Sequence, residues 1–193
     1  MAAQGTAELV AAHIGRALDI PQRSVPTYLA ALSDVFLLNQ LPSWGTNLEK
    51  RAISKPKVFL SDTALATSLA GLDPEALEMN ISSTITGGIC EAFVANELLK
   101  QKAWSSIDYR LFHFRTSTGK EVDLVLESRS RDIVGVEVKA AMSIQPKDFA
   151  GLRYLQQVAG ASFRAGIVLY TGKDVLPMGK NLWAMPISTL WHG

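Results

Sequence analysis

The stretch 121–140, EVDLVLESRSRDIVGVEVKA, constrains the fold of this chain most strongly, because apolar and charged residues alternate through it twice around a charged centre. Alternation with period two predicts two half-buried strands, one over 121–126 and one over 134–139. Side chains two apart share a face of a strand. Glu137 and Lys139 therefore lie together on one face, and Val134, Val136 and Val138 on the other. Folded as a hairpin about Ser130, the strands bring Asp123 opposite Glu137, with Cβ atoms roughly 5 Å apart. Like charges so placed destabilise a sheet unless a cation or a proton compensates them. Two carboxylates with waters suit Mg²⁺ or Mn²⁺, and a neighbouring lysine can orient or activate a bound water. The other reading, which the pattern alone favours, is the solvated face of an antiparallel sheet.

The rest of the chain narrows the chemistry. Cys90 is the single cysteine, which excludes an internal disulfide and a cysteine-based zinc cluster. His13, His113 and His192 have no ligand spacing and read as structural or surface residues. The first 18 residues lack a basic segment ahead of an apolar run, and no apolar stretch reaches membrane-spanning length, so a cytosolic location is expected. Residues 1–79 carry 6 Lys+Arg against 8 Asp+Glu, whereas residues 80–193 carry 13 against 10. The mildly basic second part permits nucleic-acid contact without demanding it.

Residues 1–79 form the first expected module. Leu9, Val10, Ile14 and Leu18 mark one helical face, ended by Asp19-Ile20-Pro21. A second helix starts near Ser24, with Pro26 in its first turn and Tyr28, Leu29, Leu32, Val35 and Phe36 as its apolar stripe. Strands over 36–41 and 57–61 would flank a polar loop over 43–56, the outline of a winged helix. DNA docking on such a module would use Arg23, Thr27 and Tyr28 at the helix start, with Lys50, Arg51, Lys55 and Lys57 on phosphates. The second helix carries Asp34 and no Lys or Arg over 25–38, so a protein-interaction module is the alternative.

Residues 62–72 read as a helix starting at Asp62, and the polar run 73–88 as the boundary between modules. Residues 80–193 form the second. A helix over 89–102 carries Glu91 on a mostly apolar face, either as an acid in the first turn favoured by the helix dipole or as a partner of the sheet's acidic patch. A strand over 109–116 precedes the hairpin, and a helix over 146–158 follows it. The apolar run 165–170 reads as a buried strand and 181–187 as an edge strand ending near Pro186. Together these predict a mixed α/β layer arrangement.

The placement of Glu91 on a helix, Asp123 on a strand and Glu137-Val138-Lys139 on the next resembles the PD-(D/E)XK nuclease superfamily. More narrowly, the segments YLAALSDVFLLNQLPSW, KVFLSDTALATSLAGL, GGICEAFVANELLKQ, EVDLVLE with VGVEVKA, and GIVLYTGKDVLPMGKNLWAMPISTLW resemble the C-terminal region of bacterial and archaeal ATPases bearing the domain of unknown function numbered 4143. The resemblance implies a mixed-sheet PD-(D/E)XK nuclease-like core preceded by a helical, winged-helix-like module. It assigns Asp123 and Glu137 to a divalent metal, Mg²⁺ or Mn²⁺, Lys139 to the attacking water, and Glu91 to completing or tuning the site. Phosphodiester hydrolysis on DNA, in processing or defence, is the implied activity, and a non-catalytic adaptor for DNA or a partner protein is the alternative. Val122 stands where the superfamily signature has proline. No G-x-x-x-x-G-K-[ST] run is present, so an ATPase would be a separate or missing domain.

Overall fold

The computed structural model describes residues 7–8, 10–46, 55–73, 75 and 83–191. The elements run β1 (Ala7–Glu8), α1 (Ala11–Leu18), α2 (Val25–Asp34), β2 (Leu38–Leu41), β3 (Lys57–Leu60), α3 (Thr63–Leu69), α4 (Thr84–Gln101), β4 (Tyr109–Arg115), β5 (Glu121–Ser128), β6 (Ile133–Lys139), α5 (Ala150–Ala159), β7 (Phe163–Tyr170), β8 (Leu176–Gly179) and β9 (Leu182–Pro186). Six strands form a mixed sheet in the order β4-β5-β6-β7-β9-β8. β4, β5 and β6 are antiparallel neighbours, β7 lies parallel to β6 and β9, and β8 returns antiparallel to β9. The expected α/β class holds. The expected edge strand is an inner one, because β8 pairs outside β9 and carries Pro177 at the edge, where a missing N–H is tolerated.

Helices cover both faces of this sheet. Ala92, Val94, Ala95 and Leu98 of α4 bury one face with Leu111, Leu124, Val136, Val138 and Leu169. Leu152 and Leu155 of α5 bury the other with Val122, Val125, Ile133 and Val168. Alternation along β7 explains how one strand serves both layers, with Leu169 on the α4 side and Val168 and Tyr170 on the α5 side. α5 approaches the sheet closely: a Cβ at Gly151 would collide with the main-chain oxygen of Glu121.

Helix α4 begins five residues before the predicted start. Ser83 caps it, its hydroxyl accepting from the Thr86 N–H at 3.1 Å, and Gly87-Gly88, which read as part of the boundary, lie within the helix. Asp62 caps α3 as expected, accepting from the Leu65 N–H at 2.8 Å.

α1 and α2 pack on a small antiparallel sheet of order β1-β3-β2, with Val25, Leu29, Leu38 and Val58 as its core. This sheet is tied to the α/β part. Leu41 and Phe59 pack into the α4 layer, and Asn96 of α4 accepts from Asn39 at 2.8 Å while donating to the Leu60 carbonyl at 3.0 Å. Beyond β2, the His113 N–H donates to the Pro42 carbonyl at 3.0 Å and the Trp44 N–H to the His113 carbonyl at 2.6 Å.

Candidate functional site: a carboxylate and lysine cluster

The β5–β6 ladder pairs Leu124 with Val136, Val125 with Gly135 and Leu126 with Val134, the register that places 123 opposite 137. The ladder stops at Leu124, because Asp123 Oδ2 accepts the Val138 N–H through its side chain at 2.9 Å. A bulge accounts for the orientation of Asp123. Phe112 pairs with Val125 but Phe114 with Val122, so β5 fits one residue more than β4 around His113. Val122 and Val125 consequently share the α5 side, which strict alternation forbids, and the strand is re-aimed where it carries the carboxylate.

Four carboxylates and two lysines surround this point. Lys57 Nζ lies 2.8 Å from Glu91 Oε1, 2.8 Å from Glu121 Oε1 and 3.6 Å from Asp123 Oδ1, with its side chain only 5% exposed. Lys139 Nζ donates to Glu137 Oε1 at 2.8 Å. Glu137 Oε2 is enclosed and has no hydrogen-bond partner among the described residues. Burial, with Asp123 next in effect and Glu91 adding to it, pushes the Glu137 carboxyl up to about 8, although Lys139 opposes the shift. Burial acts to lower the pKa of Lys57, but Glu91, Asp123 and Glu121 outweigh it and hold the ammonium above its ordinary value. At Glu121 burial acts upward, and Lys57, Arg115 and His113 together bring the carboxyl below its ordinary value.

Lys139 follows the pattern of Lys57. Burial pulls its pKa down, while Glu137, Asp123 and Asp148 pull it up and prevail. In this geometry it is an ammonium that donates hydrogen bonds, and a base role requires positive charge nearby to lower its pKa.

The structure brings Glu91, Asp123, Glu137 and Lys139 to one locality. Glu91 is the eighth residue of α4, two turns in, so the helix dipole does not explain its position. The expectation for Lys57 is overturned: it turns inward from β3 to the carboxylates instead of meeting phosphate. The signal was present, since Lys57 and Phe59 share a strand face and Phe59 is apolar. Glu121 was not singled out in the sequence.

Among the candidate DNA contacts, Arg23, Thr27 and Tyr28 are exposed. Tyr28 lines an apolar cavity of about 610 Å³ between α1 and α2, with Leu18, Ile20, Leu32 and Val35. Lys50 and Arg51 lie outside the described residues.

The cluster fits a divalent cation in one restricted way. Among the described residues no three Asp, Glu, His or Cys side chains form a ready-made ligand group. Two carboxylates are enough for a Mg²⁺-type ion that keeps most of its waters. Glu137 Oε2, buried and without a partner beside Asp123, is the oxygen such an ion would satisfy. Glu91 and Glu121 are held by Lys57.

The profile described as "Domain of unknown function (DUF4143)" matches residues 86–190. The chain belongs to the DUF4143 family. A second profile, "Domain of unknown function (DUF8612)", matches residues 1–76, so Lys57 lies in one match and its three carboxylate partners in the other. Two mycobacterial relatives of this DUF4143 chain are "Uncharacterized protein Rv2008c" of Mycobacterium tuberculosis and "Uncharacterized protein Mb2031c" of Mycobacterium bovis. Each is 32% identical over 178 residues, covering 91% of this chain and 37% of the relative. The chain thus spans well under half the length of these relatives. No solved structure matches. No helix among the described residues is long and apolar enough to cross a membrane.

Proposed function

We propose that this DUF4143 chain is a divalent-metal-dependent, PD-(D/E)XK nuclease-like domain acting on DNA, with a winged-helix-like module ahead of it. The observation that carries the proposal is the enclosed, unpartnered Oε2 of Glu137 in a cluster that also holds Asp123. Buried carboxylate oxygens are costly to leave unsatisfied; a proton on Glu137 satisfies one of them, and a hard cation that displaces it satisfies two together. Asp123 and Glu137 would hold Mg²⁺ or Mn²⁺, which when bound would neutralise charge on a phosphodiester and lower the pKa of its water.

The protein's own groups do the positioning. The Val138 N–H fixes Asp123. Lys139, hydrogen-bonded to Glu137, presents an ammonium that orients a water or a phosphate oxygen. Arg23, just ahead of α2, and Thr27 and Tyr28 in its first turn are exposed and would contact the DNA backbone.

The deciding experiment incubates the protein with single-stranded, double-stranded and branched DNA in Mg²⁺ or Mn²⁺. Cleavage that vanishes in Asp123→Ala and in Lys139→Ala supports the proposal. No cleavage of any substrate, or cleavage that survives both substitutions, overturns it.

One observation favours a second reading, a non-catalytic adaptor for DNA or a partner protein. Lys57 already supplies a cation to Glu91, Glu121 and Asp123, so the cluster has a structural role without metal. Calorimetric titration separates the two: no heat of metal binding at millimolar Mg²⁺ or Mn²⁺, with a Glu137→Gln variant that folds normally, selects the adaptor.

A further inference from the structure

Lys57 is the first residue of β3, the central strand of the small sheet, and β3 is hydrogen-bonded on both sides. Val58 and Phe59 anchor it, Val58 in the α1–α2 core and Phe59 in the α4 layer. The ammonium therefore enters the α/β part on a fixed stem. A lysine head is a compact charge with three donors, and here three carboxylates from two elements, α4 and β5, converge on it. The contacts are unequal. Glu91 and Glu121 are held at 2.8 Å, while Asp123 is 3.6 Å away and keeps its other oxygen on the Val138 N–H.

We propose that Lys57 is a tethered counter-ion that competes with a divalent cation for this cluster, so that the seating of β3 sets the cation affinity of the site. The proposal rests on the cation-site reading above. The charge of the cluster supports it: with all four carboxylates ionised, Glu91, Glu121, Asp123 and Glu137 outnumber Lys57, Lys139 and Arg115, which reaches Glu121 at 3.9 Å, so positive charge is still short. The two cationic groups then share Asp123 at short range, and like charges at such separation repel strongly where water is excluded. Holding Glu91 and Glu121 with Lys57 also limits the ion to Asp123 and Glu137. Lys57 is on this account a positioning residue, acting through the carboxylates.

The test uses the full chain with Lys57→Met, Lys57→Gln and Lys57→Arg. Mn²⁺ affinity is read by electron paramagnetic resonance of the free ion, and folding by circular dichroism and thermal melts with and without Mn²⁺. The expected result is Mn²⁺ binding about tenfold or more tighter in Lys57→Met and Lys57→Gln. Their melting midpoints rise more with Mn²⁺ than that of the unsubstituted chain, and Lys57→Arg behaves as the parent does. Binding in the neutral variants alone supports the competition, with Lys57 closing the site, and overturns metal dependence of the native chain. A neutral variant that folds only when Mn²⁺ is present supports it too.

Equal or weaker Mn²⁺ binding in the neutral variants, while the parent binds, overturns the competition and leaves the cation site standing. Absence of binding in every chain overturns the cation site and the competition together. Neutral variants that fail to fold even with Mn²⁺ show that the ammonium is not exchangeable for a metal ion, which overturns the competition.

Discussion

The main-chain N–H of Val138 donates to Asp123 Oδ2 at 2.9 Å, so the strand that carries Glu137 and Lys139 also fixes the carboxylate of its neighbour. A side chain here takes the place of a ladder hydrogen bond. Asp123→Ala leaves the Val138 N–H without that acceptor, in a buried setting, and is expected to cost about 1–3 kcal/mol. Asp123→Asn retains an oxygen for the N–H and is expected to cost about half as much or less. Urea unfolding of the two variants beside the parent measures the difference, and under the proposed function both lose metal-dependent cleavage.

Glu137 makes stability depend on pH. Its carboxyl is raised from an ordinary 4.5 to about 8 by burial first and Asp123 second, so the folded chain binds the proton more tightly than the unfolded chain. The contribution is complete below the unfolded value and is lost as pH rises through about 8. Chemical unfolding between about pH 5 and 9 should show this decline, and Glu137→Gln, a mimic of the protonated carboxyl, should flatten it. A divalent cation at this carboxylate must displace the proton, so calorimetry in buffers of different ionisation heat should register proton release at pH 7.

Gly151 lets α5 rest on β5. A methyl group there collides with the Glu121 carbonyl oxygen, part of the backbone rather than a side-chain end that can swing away. Gly151→Ala should cost about 1–3 kcal/mol or more and displace the strand that carries Glu121 and Asp123. Thermal denaturation reports the first effect, and a drop in Mn²⁺ affinity the second.

Phe36 has φ 60° and is 84% exposed. A bulky residue pays for the left-handed conformation and here buries almost nothing in return. Phe36→Gly should raise stability by up to about 1 kcal/mol, with the gain limited by glycine's greater freedom in the unfolded chain. A melting midpoint that falls would show that the ring makes contacts in solution.

Much of the site was legible in the sequence because period-two alternation reports strand faces directly. The register that sets 123 opposite 137 followed from the symmetry of the hairpin about Ser130. The bulge at Asp123 did not, since an extra residue in one strand leaves no mark until its partner strand is known. The sequence suggests a later start for α4 because Gly87 and Gly88 are poor helix formers, and the Ser83 cap, with Thr86 and Ile89 buried on either side of them, prevails. β8 was missed because it carries Pro177 and is short, with only β9 as a partner. Lys57 was misread for a different reason. A lysine at the start of a strand beside a polar loop is usually solvated, and the apolar Phe59 on its strand face is a weak counter-signal until β3 is seen to return to the carboxylates.

The seating of β3 carries a practical consequence for anyone who dissects this protein. An expression boundary drawn in the 73–88 run would separate an ammonium from three acids and would bare the patch of α4 and β4 that Leu41 and Phe59 cover. The excised C-terminal piece should be sticky, acid-strained and poorly soluble, and its failure to cut DNA would say nothing about the intact chain.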